Sequence, residues 1–308
     1  MSLKNFFVLF LKGMAMGIAN VIPGVSGGTI ALISGIYEEL IHSIKKINYT
    51  ALKLIFKLNL SEFGKYTNFN FLFAIFLGSV ASIFSVANLF KYLFENNPIL
   101  IWSFFFGLIL ASIYFVGIKI SKWDKKSILS LIIGVFIAHS LSYVPPSTEN
   151  DNLFFVFICG IIGISGMMLP GLSGSFILIL LGNYELLMVD IVSDIFKFQT
   201  YEIVLLTVFI AGSVFGLIFF SHLLSWILKN YKNATLALLT GFIAGSLNLI
   251  WPWKTISKSV FIDGHEKILR YTPYVPNEIN METLTGGILI ILGFLSVYLL
   301  ERYSFIKK

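Results

Sequence analysis

The sequence predicts an all-α integral membrane protein made of two inverted repeats. Composition, an internal repeat and the distribution of positive charge support this prediction. Of the 308 residues, 57% are hydrophobic and only 12% are charged, and the mean hydropathy is +0.87. Soluble domains carry about 25% charged residues, and several apolar stretches here exceed the roughly 18 residues needed to cross a bilayer. We therefore expect the chain to lie in a membrane.

The internal repeat is visible in two stretches. Residues 18–40 read IANVIPGVSGGTIALISGIYEEL, and residues 165–187 read SGMMLPGLSGSFILILLGNYELL. Both contain a PGxSG element followed by Gly-x-Tyr-Glu in the same register, at an offset of 147 residues. Further matches, such as Gly78 with Gly212, continue at an offset of 134. The repeat divides the chain into two predicted domains, 1–146 and 147–308.

Each half is predicted to form a re-entrant helical hairpin followed by three spans. The apolar stretches 5–40 and 153–188 are too long for one upright helix, and their PGxSG elements interrupt helical structure. A hairpin that enters and leaves on one side adds no crossing, so three crossings invert the second half relative to the first. Apolar residues at helical spacing also predict an interfacial helix over 42–66. The predicted spans are 71–94, 98–118, 127–144, 203–228, 234–252 and 284–301.

The distribution of lysine and arginine predicts the orientation. With the N-terminus in the cytoplasm, 16 of the 22 basic residues fall on the cytoplasmic side, as the positive-inside bias requires. Both termini are then cytoplasmic. The alternative is two plain spans in place of each hairpin, which gives parallel repeats and moves the lysine-rich 42–66 segment outside. The basic residues are dispersed over short connections, which argues against nucleic acid as a partner. The oligomeric state is not predicted.

The PGxSG elements are the candidate binding site. Irregular backbone at membrane depth is tolerated where it lines a polar cavity, and broken helices in repeated halves mark transporter sites. Ser26 or Thr29 can cap the outbound limb, and Gly27 and Gly28 expose peptide N–H groups. Such a helix start favours an anion such as phosphate. Close helix packing through small residues is the alternative. Ser173, Gly174 and Ser175 repeat the arrangement in the second half.

Five titratable residues at or near membrane depth are further candidates, because charge inside a bilayer is costly. Glu38 and Glu185 are equivalent by repeat, and with His139 and His222 they are candidates for a proton relay. The alternatives are a solvated structural role for the glutamates and neutral, hydrogen-bonded histidines. Lys12 is a candidate for neutralising phosphate charge, or it extends to the surface. The single cysteine, Cys159, excludes a multi-cysteine metal site, and no metal or other cofactor is predicted.

The run GMAMGIANVIPGVSGGTIALISGIYEELI resembles the signature of the bacterial polyprenyl-phosphate transporter family of the PopT type. The resemblance extends over essentially the whole chain, including the second PGxSG element. It implies translocation of undecaprenyl phosphate across the cytoplasmic membrane, from the outer to the inner leaflet, with the lipid as partner. Coupling to a proton or sodium gradient is left open. By position it implies phosphate-binding roles for Asn20, Pro23, Gly24, Ser26, Gly27, Gly28, Thr29, Pro170, Gly171, Ser173 and Gly174.

Two other functions are alternatives. Polyprenyl-diphosphate phosphatases carry a similar PGxSRSxxT motif, but the position of its arginine is Gly27 in one copy and Gly174 in the other, and no ExxxE motif accompanies either. Phosphoryl transfer depends on charge neutralisation, so binding without hydrolysis is expected and the chain is predicted not to be an enzyme. A small-anion channel or exchanger is the second alternative, because helix starts also bind chloride.

Overall fold

The computed structural model describes residues 2–21, 25–190, 200–262, 265–278 and 280–305, and most of them are helical. A π-helical turn occupies Leu186–Asp190 and a 3-10 turn occupies Ser246–Asn248. The α-helices, in chain order, are α1 Leu3–Val21, α2 Gly27–Ile33, α3 Tyr37–Lys45, α4 Tyr49–Phe56, α5 Leu60–Thr67, α6 Phe69–Asn96, α7 Pro98–Ile118, α8 Lys125–Leu141, α9 Leu153–Met168, α10 Gly174–Leu180, α11 Thr200–Asn230, α12 Lys232–Gly245 and α13 Met281–Phe305.

A two-stranded sheet departs from the all-α prediction. Strands β1 (Lys254–Ile262) and β2 (His265–Pro273) pair antiparallel, with Lys254 opposite Pro273. The base of this hairpin is fixed to the end of the helical region, because the Tyr274 N–H donates to the Trp253 carbonyl at 2.8 Å and the Trp251 indole N–H donates to the Tyr274 carbonyl at 2.9 Å. The strands fall in a connection where the sequence reading predicted no regular structure.

Four helix pairs hold most of the structure together. Helix α1 packs along α6, and its counterpart α9 packs along α11 in the second half. The other two pairs join the halves: α7 packs along α13, and α8 packs along α12. At the offset of 134 α7 corresponds to α12, and α8 and α13 are the last helices of the two halves, so each of these two contacts is the counterpart of the other by its position in the chain.

Glycines at the closest helix approaches follow the same correspondence. A Cβ on Gly107 would lie 1.9 Å from the Ile290 carbonyl oxygen, and one on Gly241 would lie 2.3 Å from the Leu131 carbonyl oxygen. Gly107 and Gly241 are repeat counterparts at the offset of 134, and their partners lie in α13 and α8, the last helices of the two halves. No side chain fits at such distances, so glycine sets how closely the helices approach. The packing between the halves is therefore reciprocal at the level of helices.

The outer surface is that of a membrane protein. Apolar side chains such as Phe76, Phe136 and Ile291 are more than half exposed, at 65%, 70% and 60%, and such a surface requires lipid around it. Three described helical segments are long and apolar enough to cross a membrane: Pro98–Ile118, Tyr201–Asn230 and Met281–Leu299. In the 42–66 segment the structure has the end of α3 and two short helices, α4 and α5, instead of one helix. They are separated at Leu58, where φ is 54°.

Candidate functional site

The described residues of each PGxSG element lie between two antiparallel helices. In hairpin 1 (α1 and α2), the Gly27 N–H donates to Asn20 Oδ1 at 2.8 Å, and the Lys12 ammonium donates to the Ser34 carbonyl at 2.7 Å. In hairpin 2 (α9 and α10), Gly174 approaches Met167 and Gly163 approaches Leu178. Met167 and Gly174 are the repeat counterparts of Asn20 and Gly27. The two hairpins therefore have the same antiparallel register.

Both hairpins also end their short helices in the same way. Gly35 follows α2 with φ 73°, and Gly182 follows α10 with φ 80°. The next residue donates back across the last turn in each case, from the Ile36 N–H to the Ala31 carbonyl at 3.0 Å and from the Asn183 N–H to the Leu178 carbonyl at 3.1 Å. This is a Schellman ending, and it requires a left-handed residue at the position that glycine occupies.

The turn regions of the two hairpins meet. We call residues 25–29 the first tip and residues 169–175 the second tip. The Ser26 hydroxyl donates to the Met167 carbonyl at 3.1 Å, across 141 residues of sequence. The Gly171 N–H donates to the Thr29 hydroxyl at 3.0 Å, across 142 residues. Ser26 and Thr29 are buried. Two segments that are remote in sequence thus form one buried polar junction.

Tyr37 strengthens this junction. Its hydroxyl donates to the Met168 carbonyl at 3.0 Å, and its side chain is 2% exposed. The last carbonyls of a helix have no partner within it, so Ser26 and Tyr37 satisfy two such groups at the end of α9. In the sequence, Tyr37 stands out only as part of the repeated Gly-x-Tyr-Glu pattern. Its role in the junction follows from a contact across 131 residues, for which the sequence carries no local signal.

The two tips differ in how their polar groups are used. In the first tip, the Ser26 hydroxyl accepts from the Gly28 N–H at 3.1 Å and caps α2, while Asn20 accepts from Gly27. In the second tip, Ser173 makes no capping bond to α10, and its hydroxyl lies 2.7 Å from that of Ser175. The first amide groups of α10 thus lack the side-chain acceptor that Ser26 gives α2.

Of the remaining candidate residues, some pack against neighbouring segments and others lie outside the described residues. Pro170 is buried, and Gly171 has φ 85° and packs against the backbone of Ile243 in α12. A Cβ on Gly28 would lie 2.8 Å from the Met168 carbonyl oxygen, which explains why glycine stands where the second copy has Ser175. Pro23 and Gly24 lie outside the described residues.

Lys12 lies at the opposite end of α2 from the first tip. Seven residues at 1.5 Å rise place its Ser34 partner about 10 Å from the tip. Lys119 joins it there, donating to the Leu32 carbonyl at 3.3 Å and pairing with Glu301 at 3.0 Å. Both lysines thus complete the carbonyl end of α2, where positive charge is favourable. The sequence reading did not single out Lys119 or Glu301.

In the described parts of the chain, the contacts of Glu38, His139 and His222 are with residues outside both tips. Glu38 is exposed and pairs with Lys232 at 2.7 Å. His222 Nδ1 lies 2.9 Å from the Ile218 carbonyl of its own helix. His139 is exposed, with its ring against that of Tyr143. Glu185 is half-buried beyond the end of α10.

A helical membrane protein whose two halves meet through glycine-interrupted hairpins has the organisation of a membrane transport protein. The chain belongs to the VCA0040-like family, described as undecaprenyl phosphate translocase-like, which matches residues 16–267.

Two relatives carry the name polyprenyl-phosphate transporter. The one from Vibrio cholerae serotype O1 (strain ATCC 39315 / El Tor Inaba N16961) is 39% identical over 309 residues, 97% of either chain. The one from Staphylococcus aureus (strain NCTC 8325 / PS 47) is 32% identical over 261 residues, which is 80% of this chain and 86% of the relative. No solved structure matches the chain.

Proposed function

We propose that this protein translocates undecaprenyl phosphate, a polyprenyl monophosphate lipid carrier, across the bacterial cytoplasmic membrane. Translocation runs from the outer to the inner leaflet, so that the carrier is reused in cell-envelope synthesis. The family and the names of both relatives support the substrate class. The buried junction between the tips is the observation that carries the assignment of the site.

The polar groups of the junction suit a phosphate headgroup that is bound and not cleaved. They are hydroxyl and peptide N–H donors from both halves, and such groups cradle phosphate oxygens. The Ser173 and Ser175 hydroxyls are the first contacts in this proposal, because neither is committed to capping α10. The polyprenyl chain stays in the surrounding lipid.

The same junction supplies a mechanism of alternating exposure. The bond from Ser26 to Met167, at the end of α9, and the bond from Gly171 to Thr29 hold the first tip against hairpin 2. A phosphate oxygen accepts hydrogen bonds from the same donors, so a bound headgroup competes with the tip-to-tip contacts. The halves then exchange roles by opening first toward one leaflet and then toward the other. The reciprocal packing of α7 on α13 and α8 on α12 supports an inverted repeat.

The proposal includes the re-entrant hairpins and the topology. Helices α2 and α10 have seven residues each, about 10 Å at 1.5 Å per residue, and are too short to cross the hydrocarbon core. Their antiparallel register with α1 and α9 supports hairpins that leave on the side they enter. The bias of basic residues supports termini on the cytoplasmic face.

The names of the relatives also support a transporter over a phosphatase. Gly27 and Gly174 occupy the position at which the phosphatase motif has arginine. A phosphoryl-transfer site needs positive charge on the transferred group, and the junction donates through neutral groups. We propose that the protein releases its lipid unchanged.

The test is lipid movement by the full-length protein in proteoliposomes. A fluorescent polyprenyl monophosphate is added to one leaflet, and its arrival in the other is followed by quenching. Replacing Ser173 and Ser175 together by alanine should slow movement about 10-fold or more, since hydrogen bonds to a charged group contribute about 1.5–3 kcal/mol. Phosphate release is assayed in the same vesicles.

Ser165→Ala is the matched control, because the Ser165 hydroxyl only donates to the Ile161 carbonyl of its own helix at 2.7 Å. It should move lipid at the normal rate. Absence of lipid movement by the unmodified protein would reject the transport function. Normal movement by the double alanine variant would reject the site. Phosphate release would instead support an enzyme.

A further inference from the structure

A second polar cluster lies at the other end of α7 from Lys119. The Lys254 ammonium sits 3.6 Å from the centroid of the Trp102 ring and 5.0 Å from that of Tyr271, and it donates to the Leu249 carbonyl at 2.8 Å. The 17 residues between Trp102 and Lys119 correspond to about 25 Å of helix. The cluster is therefore separate from the ion pair that completes the end of α2.

Lys254 is half-buried, and among the described residues no carboxylate lies within ion-pair distance of its amino group. Burial lowers the pKa of Lys254 to about 7. An ammonium group has three N–H donors, and the hydrogen bond to the Leu249 carbonyl uses one of them. The cation–π contact offsets part of the missing counter-charge. This environment favours binding of an anion.

Two further polar groups lack partners, and they belong to Ser103 and Trp253, the sequence neighbours of Trp102 and Lys254. Among the described residues, Ser103 Oγ and Trp253 Nε1 are buried atoms without a hydrogen bond, and Ser103 is fully buried. They approach each other at Gly286, where a Cβ would lie 3.0 Å from Ser103 Oγ and 3.2 Å from the Trp253 ring. Indole N–H is only a donor, and an unsatisfied buried donor is costly. The missing partner of the Trp253 N–H is therefore an acceptor, and the Ser103 hydroxyl can donate to the same kind of group.

The walls of the cluster are aromatic. Trp251 packs edge-on against Phe106 at 5.2 Å and against Trp253 at 5.7 Å, and Phe94 packs against Trp102 at 5.3 Å. Aromatic side chains present large apolar faces beside a polar edge. A ligand that combines a compact anion with an unsaturated hydrocarbon chain fits both the donors and the rings.

We propose that Lys254, Trp253 and Ser103 form a second anion site, which receives the phosphate headgroup of the polyprenyl lipid before it reaches the tips. The proposal rests on the proposed function for its ligand. Gly171 of the second tip packs against Ile243 near the end of α12, and Trp251 follows that helix after one 3-10 turn, so the site lies beyond the end of α12 that contacts the second tip. The predicted topology puts this end on the outer face, where the lipid enters.

Binding is measured on the full-length protein in nanodiscs. Three of the five tryptophans, Trp102, Trp251 and Trp253, belong to the cluster, so their fluorescence reports its occupancy. Farnesyl phosphate and inorganic phosphate are the two probes. We expect both to change the fluorescence, with farnesyl phosphate binding at least 10-fold more tightly. Equal affinities would overturn the lipid headgroup as the ligand and indicate a free-anion site.

Lys254→Met should weaken binding of both probes about 10-fold or more, and Lys254→Arg should retain it. Lys229→Met, an exposed lysine in α11, is the control and should bind normally. Trp253→Phe and Ser103→Ala remove one donor each, keep the apolar shape and should weaken binding severalfold. They decide the matter if Lys254→Met does not fold.

Unchanged affinities in the Lys254 and Trp253 variants would overturn the site and leave an aromatic anchor at the membrane interface. This failure is distinct from failure of the proposed function. If Lys254→Met moves lipid normally while the Ser173 and Ser175 double variant does not, the entry site is wrong and the transport site stands. If the unmodified protein moves no lipid, the proposed function itself fails.

Discussion

The two hairpins share one frame and differ at their tips. Register and Schellman endings are the same in both. The first tip is closed on itself, because Ser26 caps α2 and Asn20 holds Gly27. The Ser26 hydroxyl also donates to the Met167 carbonyl at the end of α9. In the second tip, the Ser173 and Ser175 hydroxyls bond to each other and, among the described residues, to no other group. The comparison indicates that hairpin 1 is the structural member of the pair and hairpin 2 the adaptable one.

The C-terminal ends of α2 and α10 also differ, in the groups that bond to their last carbonyls. Lysines complete the end of α2, and one of them, Lys119, pairs with Glu301, which is 5% exposed. The end of α10 is completed by a neutral group, since the Ser147 N–H donates to the Leu180 carbonyl at 2.9 Å. Charge thus fixes hairpin 1 to α7 and α13, and a backbone amide fixes hairpin 2.

Breaking the charged end should have the largest effect. Lys119→Met leaves the Glu301 carboxylate buried without its partner, so the free energy of unfolding should fall by about 2–4 kcal/mol. Denaturant titration in mixed micelles measures it. Replacing Glu301 by leucine in the same variant should recover most of the loss. Glu38→Gln, which breaks the exposed pair with Lys232, should cost under about 1 kcal/mol. Equal losses in the single and double variants would contradict the role of the ion pair.

A second comparison uses the two glycines that end the short helices. Gly182→Ala should lower the free energy of unfolding by about 2–3 kcal/mol, because the strained backbone is joined by a steric clash. A Cβ there would lie 2.5 Å from the Ser147 carbonyl oxygen, whereas nothing lies within 4 Å of one on Gly35. Gly35→Ala should therefore cost only about 1 kcal/mol. Similar losses at both positions would show that the surroundings of Gly182 yield easily.

The serines that precede the two short helices, Ser26 and Ser173, give a smaller difference in stability. Ser26→Ala removes a helix cap and the bond to Met167, so we expect a loss of about 1–2 kcal/mol in the free energy of unfolding. Ser173→Ala removes neither kind of contact and should cost less than about 1 kcal/mol. The opposite should hold for lipid movement, which Ser173 is proposed to support directly. If Ser173→Ala is the more destabilising change, the assignment of a structural and an adaptable tip is reversed.

How much of this follows from sequence depends on the range of the interaction. Helix α7 begins and ends where its apolar run does, at 98 and 118, because length and hydropathy are local. The β-hairpin was missed, although Asp263-Gly264 between alternating residues is a known turn signal. The break in 42–66 also had signals, since Asn48 and Asn59 each cap the helix that follows.

Contacts between distant segments were beyond local reasoning. Ser26 with Met167, and Lys119 with Glu301, join residues more than 100 positions apart. Repeat matching shows that the two PGxSG elements are equivalent, but it does not show that they touch. It also does not show that their hydroxyls have different partners, because the residue before each short helix is a serine in both copies.

The last comparison is between the two ends of α7, one with a paired lysine and one whose lysine has no ion pair among the described residues. The pKa of Lys254 is about 7 through burial, against about 10.4 for an unfolded chain. Between about pH 7 and about pH 10.4 the unfolded state binds more protons than the folded state at this lysine. Its contribution to the free energy of unfolding therefore rises with pH through that window. Tyr271, whose pKa is raised by burial, stays protonated there. Lys254→Met should therefore raise the melting temperature more at pH 6 than at pH 9, while Lys229→Met should show no such difference. A pH-independent gap between the protein and its Lys254→Met variant would mean that the pKa of Lys254 is not lowered, because a bound anion or hydration stabilises its ammonium form.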